Sequence, residues 1–258
     1  MTKNYVHATE NPLTPAHEDY LKAIYLLEAN GEPVSNSALA QHMGFAPASA
    51  TNMVKKLADL SLVIHEPYRG VELTPLGRQV ALEVLRHHRL IELFLHQTLD
   101  MSWDRVHAEA DKLEHVISEA MEDAIAAVLG NPTVDPHGDP IPSKDGTMPA
   151  EELIPLVRLE PTDTAYIRRV ATDDSRILRY LARLELIPGQ LVALHDIAPF
   201  NGPVTIERLD DEVQNNDTNR QILGHELAGL LFVEPLHRAQ TVPLSLGMQT
   251  TGVFSTPA

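Results

Sequence analysis

The chain has 258 residues, enough for two or three domains, and its 43% hydrophobic and 22% charged residues are ordinary for a globular protein in water. It has no cysteine, which excludes disulfides, iron–sulfur clusters and thiolate metal sites together. Its formal charge of −16, from 20 Lys and Arg against 36 Asp and Glu, repels nucleic acid unless basic groups are gathered locally or acids are neutralised.

Thr14 and Pro15 mark a helix start, and Tyr20, Ile24 and Leu27 recur at helical spacing over residues 16–29, with Leu21 beside them. Asn30-Gly31 is the expected stop. Ser35 caps a short helix over 36–43 that turns Leu39 and Met43 inward, and Gly44 permits a tight turn. A third helix over 47–59 carries Ala50, Met53, Val54 and Leu57 on its apolar face. Two helices joined by a short turn containing Gly make a helix-turn-helix. Residues 62–66, the turn Pro67-Tyr68-Arg69-Gly70 and residues 71–74 read as a β-hairpin wing.

Thr74-Pro75 repeats the start signal, and a long helix is expected to reach about Leu99. After residues 101–104 one further helix is expected to run to about Leu129, stopped by Gly130-Asn131-Pro132. Residues 131–150, rich in Pro, Gly and Asp, read as a loop or linker. Short β-type runs follow at 153–159, 165–171, 190–195, 204–207 and 229–234, with one helix near 175–184, the pattern of a small β-barrel-like domain. The residues after Pro235, rich in Thr, Ser and Pro, read as a flexible tail. No run approaches the length of a membrane span, and the opening MTKNYVHATENP lacks the apolar run of a secretory signal, so the expected location is cytoplasmic.

The third helix is the candidate DNA reader. Ser49, Thr51 and Asn52 are small polar residues able to approach base edges, and Lys55 and Lys56 can reach phosphates. Tyr68 and Arg69 on the wing are placed for the backbone or minor groove. Residues 1–75 hold five Lys and Arg against eight Asp and Glu, a net −3, so one copy neutralises few phosphates and a symmetric dimer is expected on duplex DNA.

Thirteen His beside an excess of acids is the inventory of a hard or borderline metal site. On one helix, His107, Asp111, Glu114 and His115 fall at roughly 0°, 40°, −20° and 80°, within about a third of the circumference. Leu113, Val116, Ile117, Ala120, Met121 and Ala124 form an apolar stripe expected to bury most of that helix. His88 and Glu92 stand one turn apart on the preceding helix, so packing the two helices converges three His and three carboxylates. Crowded carboxylates repel unless a cation joins them. Imidazole with carboxylate suits Mn(II), Fe(II), Co(II) or Zn(II).

The stretches Glu18 to Tyr25, the helix-turn-helix, Tyr68 to Pro75, His88 to Glu92, Val106 to His115 and Asp135 to Pro142 resemble, in the same order, the diphtheria toxin repressor and manganese transport regulator family. The last third, through Leu186-Ile-Pro-Gly189, Gly202 to Ile206 and Ile222 to Leu227, is similar to the SH3-like domain of longer members and to ferrous-iron-transport accessory domains. The resemblance implies a mainly α chain with a β part. Its parts are a winged helix-turn-helix over 1–75, a helical metal-binding and dimerisation domain over 76–150, an SH3-like barrel over 151–236 and a tail over 237–258.

It implies a primary metal site at Asp19, Asp111, Glu114 and His115, and an ancillary site at His88, Glu92 and His107. Carboxylates stand at Asp19 and Asp111, where iron-responsive members carry sulfur ligands, which favours Mn(II) over Fe(II). Lys22 departs from the short manganese regulators, which supply a Glu ligand there. Ala171 stands at the third domain's Glu ligand position and Asp174 at its Gln position, leaving Asp173 or Asp174 to complete the ancillary site. The implied function is a metal-activated, homodimeric repressor of metal-uptake genes acting at a palindromic operator, and not an enzyme. A metallohydrolase is the rival from another class, but the sequence has no Gly-rich loop or nucleophile elbow to support it. A metal-independent DNA-binding or scaffold protein is the other rival, recognisable by indifference to a chelator.

Overall fold

The computed structural model describes residues 13–28, 33–66, 69–209 and 219–236. The expected stop at Asn30-Gly31, the wing residues Pro67 and Tyr68 and the tail over 237–258 lie outside the described residues.

Helix α1 (Pro15–Leu27) starts at an extended Thr14, whose side chain accepts from His17 N while the His17 ring accepts from Thr14 N. Helix α2 (Asn36–Met43) is capped by Ser35, which accepts from Ala38 N at 3.1 Å, and ends on Gly44 at φ 66°. Helix α3 (Pro47–Asp59) follows, and strands β1 (Val63–Glu66) and β2 (Gly70–Leu73) pair antiparallel, with Val63 opposite Leu73. Leu21, Ile24, Leu39, Ala50, Val54 and Leu57 close the core beneath these helices. This is the expected winged helix-turn-helix.

Helix α4 (Pro75–Leu99) is 25 residues long, a rod of about 37 Å at 1.5 Å per residue. Val80, Ala81 and Val84 in its first half join the core of the N-terminal unit. Leu90 and Leu93 farther along pack with residues after position 120, and Ile91 and Leu95 with Val106 and Ala110. One helix therefore belongs to two cores.

The single helix expected up to Leu129 is two: α5 (Val106–Leu113) and α6 (Glu119–Val128). Ser118 is extended and its side chain accepts from Met121 N at 3.3 Å, so it opens a new helix rather than continuing the old one. The break rotates the expected stripe out of register. Val116 is 73% exposed and Met121 48%, and Leu113, Ala120 and Ala124 are exposed as well. Helix α6 buries Glu122, Ile125 and Ala126 instead.

The segment expected to be a loop or linker is a packed loop. Ile141 is buried, Arg86 donates to Pro142 O at 2.8 Å, and Asp135 accepts from the backbone N–H groups of His137 and Asp139 at 2.8 and 2.9 Å. Val170 N donates to His137 O at 2.8 Å, joining this loop to the last third of the chain. At Gly138, with φ 87°, an added Cβ would lie 1.8 Å from Arg168 O, so the two backbones touch there.

The last third contains strands β3 (Ile154–Pro155), β4 (Thr164–Val170), β5 (Leu191–Ile197), β6 (Val204–Arg208), β7 (Arg220–Leu223) and β8 (Leu231–Pro235), with helices α7 (Ser175–Arg183) and α8 (His225–Gly229). They form one antiparallel sheet in the order β3-β8-β4-β5-β6-β7. Register shifts at Ile167/Arg169 and Leu194/Asp196 bend it around Leu178, Leu181 and Val192. Among the described residues no ladder joins β7 to β3, so the expected barrel is a six-stranded sheet here. The run expected as a strand over 153–159 is two residues of β3 followed by a 3-10 turn. Strand β7 and helix α8 were not anticipated, being too short to show a period. No helix among the described residues is long and apolar enough to cross a membrane.

Candidate metal centre and nucleic-acid interface

Every acid and imidazole singled out in the helical region comes together where α1, α4 and α5 meet. Two adjoining clusters result. In the first, Asp19, Glu114 and His115 each offer a ligand atom within 4.8 Å of the others. His115 Nε2 lies 2.8 Å from Asp19 Oδ1 and 3.3 Å from Glu114 Oε1. In the second, His88 Nε2 lies 3.1 Å from Glu92 Oε1 and 3.0 Å from His107 Nδ1, which is 3.1 Å from the same Glu92 oxygen. Asp111 stands between them, 3.4 Å from His88 Nδ1 and 3.7 Å from His107 Nε2.

The break after α5 has a use here. Glu114 and His115 occupy the turn that leaves the helix, where Glu114 is fully buried and bonds His88 Nδ1 while His115 reaches back to α1. Sequence reasoning missed Glu18, a buried acid whose Oε2 lies 2.6 Å from His115 Nδ1. It missed His137 too, which is buried, bonds Trp103 O at 2.8 Å and lies 3.9 Å from Glu92 Oε2. The available signals were the tandem acids Glu18-Asp19 on an otherwise apolar helix face and a His inside a Pro-rich loop. In the third domain, Asp173 Oδ2 is 3.6 Å from His107 Nε2, whereas Asp174 caps α7 and pairs with Arg176 at 2.6 Å. Ala171 spends its backbone N–H on Leu230 O.

Electrostatics at this junction favour positive charge. Burial pulls the His88 imidazole down, but the Glu92 charge and the hydrogen bonds that the ring donates to Glu114 and Glu92 outweigh it and leave it raised to about 9. Burial likewise opposes the charge on His115, and the hydrogen bonds that its ring donates to Asp19 and Glu18, with the nearby Glu114, raise it to about 9. Burial works against ionising Glu92 as well, yet His88 and His107 hold its carboxyl well below the usual range. Both clusters offer only oxygen and imidazole donors, the set that fits Mn(II), Fe(II), Co(II) or Zn(II). Atoms about 2 Å from a shared ion lie up to about 4 Å apart, and the donor atoms of each cluster lie within 4.8 Å of one another, so either group could hold an ion.

In the N-terminal unit, α3 presents Ser49, Asn52, Lys55 and Lys56 outward. Thr51 is half-buried and its hydroxyl donates to Pro47 O at 2.9 Å, which leaves it less free than its neighbours to read a base. Ala46 gives the start of α3 no side-chain cap. Arg69 stands out on the wing, paired with Glu66 at 3.0 Å.

Three domain families cover the chain: the iron-dependent repressor N-terminal DNA-binding domain over residues 12–71, the iron-dependent repressor metal-binding and dimerisation domain over 74–143, and the FeoA domain over 154–235. The iron-dependent repressor IdeR of Mycobacterium leprae is 37% identical over 236 residues, covering 87% of this chain and 99% of that protein. For IdeR of Mycobacterium tuberculosis, also 37% identical, the aligned stretch covers 51% of this chain and 57% of that protein. Among solved structures, a manganese-dependent transcriptional repressor in complex with manganese superposes with a TM-score of 0.77 at 34% identity, over 85% of this chain and all of that one (100%). ScaR with bound zinc superposes at 0.70 and 30% identity, over 84% of this chain and 98% of that one. The chain belongs to the diphtheria toxin repressor family of metal-dependent, DNA-binding repressors.

Proposed function

We propose that this chain is a cytoplasmic homodimeric repressor of metal-uptake genes that a divalent cation switches on, and that it is not an enzyme. The observation that carries this is the meeting of Asp19, on the DNA-reading unit, with Glu114 and His115, on the turn after α5. Asp19, Glu114 and His115, with Asp111 beside them, would hold one ion; His88, Glu92 and His107, with Asp173 at the rim, would hold another. The bound ion supplies positive charge shared between carboxylates of two units. Asp19 then keeps α1, and with it α3, at a fixed orientation to α5. In a pair of chains, two copies of α3 become spaced for successive major grooves of a palindromic operator. Ser49, Asn52, Lys55, Lys56 and Arg69, with Thr51 and Tyr68, form the DNA face.

Mn(II) is the preferred ion because Asp19 and Asp111 replace softer donors with carboxylates, and Fe(II) is second. Similarity to a manganese-dependent repressor supports the choice, as does the absence of cysteine. The third domain is SH3-like, its sheet closing towards a barrel, and it brings Asp173 to the ancillary site. The test is operator affinity at fixed ionic strength against Mn, Fe, Co and Zn, for the unaltered chain and for Asp19→Asn and Glu114→Gln. Moving from 1:99 to 99:1 needs a preference of about 5.5 kcal/mol, so unaltered protein should gain roughly 100-fold or more with Mn(II) and the variants almost none. Equal activation of all three would reject the reading.

A further inference from the structure

Lys22, one turn beyond Glu18 on α1, sends its ammonium into the space between the two clusters. Nζ lies 2.6 and 2.8 Å from the two Glu114 oxygens, 3.4 Å from Asp111 Oδ1 and 3.5 Å from His88 Nδ1. Asp111, Glu114 and His88 also satisfy the spacing of a metal site among themselves. The lysine side chain is 13% exposed, and Glu114 is fully buried. A buried carboxylate needs a compensating charge, and here one is covalently attached to the DNA-reading unit.

We propose that Lys22 is a built-in cation that occupies the position between His88, Asp111 and Glu114 and thereby holds this chain to one fewer divalent ion than its donors could bind. The inference rests on the metal-centre reading above. An ion placed about 2 Å from those three donors would sit within contact distance of Nζ, where two positive centres repel without water between them. Ammonium and metal therefore exclude each other from that position. The neighbouring position keeps Asp19 and His115, which Nζ does not bond, and shares with Lys22 only Glu114, whose Oε1 lies 2.6 Å from Nζ and 3.3 Å from His115 Nε2. Lys22 also ties α1 to the end of α5 before any metal arrives, so the metal-free chain keeps part of its ordered arrangement. Lys22 is thus a positioning residue that sets stoichiometry.

Equilibrium dialysis of full-length protein against Mn(II), with the bound metal counted per chain, tests this. Lys22→Leu and Lys22→Glu are expected to bind one more Mn(II) per chain than the unaltered protein, and Lys22→Arg to keep the unaltered count. In the first two, electron paramagnetic resonance should show exchange coupling, since two ions would share Glu114. An unchanged count in both Lys22→Leu and Lys22→Glu overturns the role given to Lys22 while leaving the metal centre intact. No Mn(II) on the unaltered protein overturns the metal centre, and the inference with it.

Discussion

Glu122 is buried in the first turn of α6 between two groups from α4, bonded to Arg86 and lying 3.2 Å from His87 Nε2. Burial opposes its charge, but the bonds from His87 and Arg86 prevail and leave its carboxyl at about 2. A folded pKa below the usual 4.5 stabilises the fold above pH 4.5, and that contribution is lost as pH falls through about 2. Glu122→Gln should cost about 3 kcal/mol in urea unfolding at pH 7, the scale for breaking a buried pair. It should also flatten the acid limb of the stability curve between pH 4.5 and 2. Equal stability of both proteins across that window would show that the contact contributes nothing. The raised imidazoles act in the opposite sense. His88 and His115, both near 9, stabilise the metal-free fold fully below pH 6.5 and lose that contribution as pH rises through 9. Because an ion displaces their protons, metal affinity should strengthen over the same interval.

Among the elements, those fixed by adjacent residues were legible. Thr14, Ser35 and Thr74 cap α1, α2 and α4 where the sequence placed them, since a cap is a contact over three residues. The break between α5 and α6 was not legible. An apolar period runs through it, and among the groups that hold Glu114 and His115 in the turn are Lys22 and Glu18, more than ninety positions away. Glu18 escaped notice for the same reason: an acid on an apolar face makes sense only once His115 is beside it. The break turns Leu113, Val116, Ala120 and Met121 to the surface, and an exposed apolar strip of this kind calls for a partner. A second copy of this chain is the occupant that the proposed binding to paired operator half-sites would require. Val116→Glu or Met121→Glu should shift the mass measured by light scattering from two chains to one. A stable pair in both variants would place the dimer contact elsewhere.

At the scale of the whole molecule, α4 links reader, candidate metal centre and core, and the packed loop over 131–147 welds the sheet domain to it. The weld is backbone against backbone at Gly138 and at the bond from Val170 to His137. Gly138→Ala would push a methyl group into Arg168 O and force a residue with a side chain to hold φ 87°. Small-angle scattering should then report a larger radius of gyration, and protease should reach residues 143–153. Unchanged dimensions would mean that the sheet domain is held by other contacts. The weld also bears on what the sheet domain can be for. A module hung on a slack tether samples every direction and meets partners regardless of what the rest of the molecule is doing. One fused through Gly138 inherits its heading from α4, so any surface it offers is aimed by the same rod that aims the reader.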